Sequence, residues 1–185
     1  MRYIGLSVLC LASFATQAAE PTSTHPAVQA QVTTLQSAHD FVQGFYEWYV
    51  QKAQQQAQGW PVNDALQNKR WPLSEQIVSA LKADRAAQDK VPDEIVGIDF
   101  DPFLAAQDTC FPYKTGKVTQ AGTRYRVEVF DSNCTSPHPE LATVIAEVEQ
   151  RHGTWMFVNF IYPDTKDDLL SVLKGLKEER EKHPN

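Results

Sequence analysis

The stretch ATVIAEVEQRHGTWMFVNFIY, residues 142–162, carries the pattern on which the fold turns. Ala142, Val144, Ala146 and Val148 alternate with Thr143, Ile145, Glu147 and Glu149, the period of two that puts apolar side chains on one face of a half-buried strand. Arg151, His152 and Gly153 supply a short turn. Residues 155–162 are then apolar at nearly every position, which reads as the most covered strand. Just upstream, Tyr125, Val127 and Val129 alternate with Arg126 and Glu128 and predict another strand of the same antiparallel meander.

Helical spacing flanks these strands. Val28, Val32, Leu35, His39, Val42, Tyr46 and Tyr49 recur four and three apart and predict one long amphipathic helix with an aromatic C-terminal half. Residues 51–71 turn polar and glutamine-rich around Gly59, Trp60 and Pro61, the mark of a connector. Leu73, Ile77, Ala80 and Leu81 predict a short helix behind Pro72. Asp101 followed by Pro102 reads as an N-cap with proline in the first helical position, so a brief helix is expected from Pro102 to about Gln107. After Pro163, either Asp164 or Thr165 is expected to cap a last helix whose buried stripe is Leu169, Val172, Leu173 and Leu176. The sum is an α+β domain: N-terminal helices packed on one face of a curved antiparallel sheet, closed cone-like by a C-terminal helix.

The chain starts with one positive charge at Arg2, an apolar run over residues 3–11, and small residues ending at Ala18 and Ala19. That is the layout of a secretory signal peptide, too short in its apolar part for the ~20 residues of a bilayer-spanning helix. A lipid anchor at Cys10 is not expected, because bulky Leu9 precedes it. Residues 1–19 are therefore expected to be removed, residues 20–27 to form a flexible mature N-terminus, 28–177 one domain, and 178–185 a charged tail. Cleavage takes the net charge from −6 to −7. An acidic chain with no basic stripe disfavours nucleic acid as a partner, and no later segment is suited to membrane insertion. The mature chain keeps Cys110 and Cys134, and in an oxidising compartment the two are expected to pair, with two separate thiols as the alternative. Closing such a loop stabilises by about 3 kcal/mol in the chain-entropy model.

Three segments together resemble an uncharacterised family of bacterial exported proteins, domain of unknown function 3828. They are Phe45, Tyr46, Trp48 and Tyr49 on the first helix, the motif of Asp99, Asp101, Pro102, Phe103, Leu104, Ala106, Gln107 and Asp108, and Gly153 with Trp155 through the 155–162 strand to Asp168, Leu169 and Leu170. That family in turn looks like the nuclear transport factor 2-like cone, in which helices and a curved sheet wrap a pocket. The resemblance implies the same fold class as the periodicity and brings no assigned activity.

Candidate sites are few. Asp99, Asp101 and Asp108 could offer oxygens to Ca²⁺, but Phe103 and Leu104 stand where an EF-hand loop needs a ligand and a glycine. A structural role for Asp99, Asp101, Pro102, Gln107 and Asp108 is the simpler reading, and neither metal nor cofactor is expected. His39 could act as a general base in a cone pocket or be a core histidine with a satisfied hydrogen bond. Asp40 points about 100° away on a helix and is not an expected partner. Tyr46 lies on the same stripe as His39 and joins it as a binding candidate. Trp60 and Trp71 could stack on a ligand or fold back as a lid over the core. Asn159 is either a satisfied core amide or a polar group in a pocket. The expected function is an exported, periplasmic or secreted, non-enzymatic binding module for a small molecule or protein. The alternatives are an inhibitor or immunity protein for a periplasmic enzyme or toxin, and a cone-fold enzyme using His39 as base.

Overall fold

The structure, a computed structural model, describes residues 26–55, 61–107, 111–132 and 140–183. Helix α1 (Pro26–Gln55) realises the four-three spacing, but only its C-terminal half packs inward. Val42, Phe45, Tyr46 and Tyr49 are fully buried, while Val28 and Val32 are 50% and 60% exposed. The cause is reach. Gln43 meets Thr115 and Gln31 meets Gln120, so α1 runs antiparallel to the first strand, and its opening turns lie beyond the sheet. A 30-residue helix is about 45 Å long, against roughly 30 Å for a nine-residue strand.

Part of the polar connector is helical: α2 (Val62–Gln67) buries Ala65. Helix α3 (Glu75–Gln88) is capped by Ser74, whose hydroxyl accepts from the Ile77 amide at 3.4 Å. Leu73 belongs to the sheet edge rather than to this helix. It pairs in parallel with Phe157, whose amide donates to the Pro72 carbonyl at 2.9 Å and whose carbonyl accepts from Ser74 at 2.8 Å.

The sheet contains β1 (Tyr113–Ala121), β2 (Arg124–Asp131), β3 (Val144–Arg151), β4 (Thr154–Tyr162) and β5 (Asp167–Asp168), neighbours in chain order and antiparallel throughout. The three anticipated strands are present, with Val127, Val129, Val144, Ala146 and Val148 buried as the alternation requires. Strand β1 was not legible. It lies at an edge with most side chains exposed, and a bulge at Gly116 and Lys117 breaks its alternation. A Cβ on Gly116 would come within 2.7 Å of the Phe130 ring.

His152 and Gly153 both take positive φ, 50° and 78°, the geometry of a two-residue hairpin turn matched to strand twist. In β4 the pairing jumps between Glu147 with Asn159 and Val148 with Phe157, so Val158 is an extra, bulged residue. Buried positions therefore run Trp155 and Phe157, then Phe160 and Tyr162, with the bulged Val158 buried as well, and this is why the strand is apolar almost throughout.

Helix α4 (Leu169–Lys182) starts later than expected: the cap is Asp168, not Asp164 or Thr165. The Asp168 carboxylate accepts from the Ser171 amide at 3.1 Å and hydroxyl at 2.8 Å. Asp164 and Thr165 instead fall in the turn between β4 and β5. Leu169 and Leu173 are buried and Val172 and Leu176 half-buried. Of the segment expected as a charged tail, residues 178–182 continue this helix.

Residues 101–106 correct another expectation. Asp101 caps as anticipated, its Oδ1 accepting from Phe103 at 2.9 Å and Leu104 at 3.1 Å, but no helix follows. Ala105 adopts φ 52° and donates to the Asp101 carbonyl at 2.8 Å, and Asp101 donates to the Ala106 carbonyl at 2.9 Å. A left-handed residue after one turn reverses the chain before a second turn can add.

Candidate functional site

The 101–106 turn lies in the core, between α1 and the sheet, with Phe103 and Leu104 fully buried. Phe103 meets Phe45 and Tyr49 edge to face, at ring centroid distances of 5.7 and 5.2 Å. Buried irregular backbone must find partners for its carbonyls, and tyrosines supply them. Tyr162 donates to Pro102 at 2.9 Å, Tyr46 to Phe103 at 2.8 Å and Tyr113 to Leu104 at 3.2 Å. Tyr49 donates to Asp101 Oδ2 at 2.8 Å. Burial pushes the Asp101 carboxyl up to about 6, outweighing the hydrogen bonds from Tyr49, Phe103 and Leu104 that favour its charge. Burial likewise holds the phenols of Tyr46, Tyr49 and Tyr162 well above their usual range.

The motif residues diverge around this turn. Asp101 points inward and is 0% exposed, whereas Asp99 and Gln107 are exposed and bond to each other at 3.1 Å. Asp108 lies outside the described residues, as do Trp60, Cys110 and Cys134.

His39 stands at the seam between α1 and β1. Its Nδ1 is 3.0 Å from Asp40 Oδ1, which corrects the expectation that Asp40 is out of reach: the half-exposed ring turns along the helix surface toward its neighbour. The bonds from His39, then Gln36, hold the Asp40 carboxyl below its ordinary value. On the other side Nε2 is 2.8 Å from the Thr115 hydroxyl. Gln43 decides the direction of that contact. Its Oε1 accepts from the Thr115 amide at 2.9 Å and its Nε2 donates to Glu47 at 3.0 Å, so its orientation is fixed from both ends. The Thr115 hydroxyl, 2.7 Å from the same Oε1, donates there. Its lone pair then faces His39, so the ring sits between the Thr115 hydroxyl and the Asp40 carboxylate. Both ring nitrogens therefore lie within hydrogen-bond distance of a protein group.

The remaining candidates have local duties. Trp71 is 8% exposed and stacks on Trp48 at 5.3 Å, with the Arg70 guanidinium 4.6 Å over its ring. Asn159 bonds to Asp168 Oδ1 at 2.8 Å and accepts from the amides of Phe160 at 2.9 Å and Leu170 at 3.4 Å. It is a satisfied amide tying the β4 bulge to the start of α4. Tyr46 serves the buried turn.

A surface cleft of about 1470 Å³ opens between α3, α4 and the loop joining α3 to the turn. Two α3 side chains one turn apart hold that loop. The Gln88 amide bonds the carbonyls of Val91 and Glu94 and the amides of Val96 and Gly97, at 2.6 to 3.1 Å. Asp84 accepts from the Ile98 amide at 2.9 Å and from Arg180 on α4 at 2.7 Å. Gly97 is required there, because a Cβ would sit 2.8 Å from Asp84 Oδ2. Around this floor Ala83 and Ile95 are exposed, Ile95 at 77%, and Val91 and Leu176 are half-buried.

Sequence reasoning did not find Thr115, Gln43, Asp84, Arg180 or the buried Glu147. Glu147 faces outward from the sheet as alternation demands, yet Arg124 at 2.6 Å and Arg126 at 3.0 Å cover it from the adjacent strand. An opposite-charge pair on neighbouring strands is the one signal that could have found it, once the register is known. No family model, characterised protein or solved structure matches the chain.

Proposed function

We propose that the chain is an exported, non-enzymatic binding module that engages a protein partner through its outer surface. The observation that carries this reading is the use of the interior: Phe103 and Leu104 fill it, and tyrosines tie down the three carbonyls from Pro102 to Leu104. A small molecule would have to displace a clamped turn to enter. The likeness to the exported cone-shaped family belongs to the same proposal, with the cone filled instead of hollow.

Recognition then falls to the α3–α4 cleft. Ala83, Val91, Ile95 and Leu176 offer apolar surface there, and a protein segment with apolar side chains along one face suits it. An inhibitor or immunity role is one form of this reading. The enzyme reading is less well supported, because the His39 ring has both nitrogens engaged. Export, through loss of residues 1–19, and a bond between Cys110 and Cys134 complete the proposal.

The test is retention of a partner from periplasmic extract on immobilised mature protein. Ala83→Arg places a long charged side chain in the cleft at an exposed position, and Thr119→Arg does the same on distant β1. The expected outcome is one protein retained by wild type and Thr119→Arg and lost with Ala83→Arg. Retention unaffected by Ala83→Arg, or retention of a small molecule alone, contradicts the proposal.

A further inference from the structure

Three carboxylates are buried among the described residues, and two of them face arginine: Asp84 pairs with Arg180, and Glu147 with Arg124 and Arg126. Asp101, at 0% exposure the most buried of the three, pairs with no cation among the described residues. The titratable groups around its turn are phenols: Tyr46 and Tyr49 from α1, Tyr113 from β1 and Tyr162 from β4. Three hydrogen bonds favour its charge, but no cation among the described residues pairs with it, and a buried carboxylate without a counter-charge is costly. Chain segments without regular structure normally run over the surface, where such a group would be hydrated.

We propose that the 101–106 turn is a proton-controlled latch. It is held firmly between α1 and the sheet while Asp101 is protonated, and it opens more often once Asp101 ionises. A protonated Asp101 keeps Oδ1 as acceptor for the Phe103 and Leu104 amides, and its Oδ2 hydroxyl can donate to the Tyr49 oxygen in place of the reverse. The proton comes from solvent and returns to it when the turn leaves the core. Because burial raises the carboxyl above its unfolded value, the extra hold is present at acid pH and lost as pH rises through about 6.

Amide hydrogen exchange at Phe103, Leu104 and Ala105, corrected for the intrinsic pH dependence of exchange, reads the opening directly. Between about pH 5 and pH 7.5 the open population should rise about tenfold in the wild type. In Asp101→Asn, which keeps the acceptor and cannot ionise, it should change less than about twofold. Equal pH dependence in both proteins, or none in the wild type, overturns the proposal. Should Asp101→Asn fail to fold, the Asp101 carboxyl carbon shift in wild type decides: a carboxylate still ionised near pH 5 refutes the latch.

Discussion

Tyr49 and Asp101, 52 residues apart in sequence, are joined by a buried hydrogen bond of 2.8 Å that fastens helix α1 to the turn in the core. Removing the carboxylate takes away the cap on the Phe103 and Leu104 amides and strands the Tyr49 hydroxyl. The cap is worth about 0.5–2 kcal/mol and a stranded buried hydroxyl about 1–3. Asp101→Ala should therefore lose about 1.5–5 kcal/mol in urea denaturation near pH 5, and Asp101→Ser should recover the cap share but not the Tyr49 share. Calcium should leave the wild-type Tm unchanged, since the Asp101 oxygens are taken by internal donors.

Asp168 carries the opposite pH sign. Burial works to raise its carboxyl, but bonds from Asn159, Ser171 and Leu170 outweigh it and leave the group below its ordinary value. Its contribution is present above the unfolded carboxylate range and lost as pH falls through the lower folded value. Asp168→Ala should cost about 1–2 kcal/mol near neutrality. Denaturation curves taken down to about pH 3 should show that gap narrowing, and a gap that widens on acidification would refute the assignment.

Arg180 lies in the segment whose composition suggested a solvated tail, yet its guanidinium reaches Asp84 at 2.7 Å and the Val96 carbonyl at 2.6 Å. Arg180→Met leaves a 4% exposed carboxylate without its cation and should cost about 2–4 kcal/mol. The exposed Lys174–Glu178 pair on the same helix should contribute under about 0.5 kcal/mol when broken by Lys174→Met. Equal effects would mean that Arg180 does not hold α4 to α3.

The protein recovered from a periplasmic fraction should begin at Ala19 or Glu20, and alkylation should find no free thiol before reduction and two after it. A chain starting at Met1, or two thiols alkylated in the folded unreduced protein, would contradict export or the disulfide respectively.

What was legible in the sequence is what period alone determines. Val127, Val129, Val144, Ala146 and Val148 alternate cleanly and are buried, and the four-three spacing of α1 marks its packed face from Val42 to Tyr49. Period could not say where packing stops, so Val28 and Val32 looked like core and are exposed. Nor could it reveal β1, whose glycine bulge removes the alternation. The Asp101-Pro102 signal was read locally and gave the right cap with the wrong continuation, because Ala105 turns the chain back where no residue type announces it. The contacts of His39 with Thr115 and of Asp84 with Arg180 join residues 76 and 96 positions apart, and pairs that distant acquire meaning once the fold brings them together.

In-cell photo-cross-linking tests the central claim most directly, with a photoreactive residue placed in turn at Ala83 and Lys177 in the cleft and at Thr119 on β1. The reading of an outward-facing recognition module requires one protein adduct from both cleft positions and none from Thr119. The same adduct from Thr119 alone, or no adduct from either cleft position while wild type still retains a partner, would contradict it.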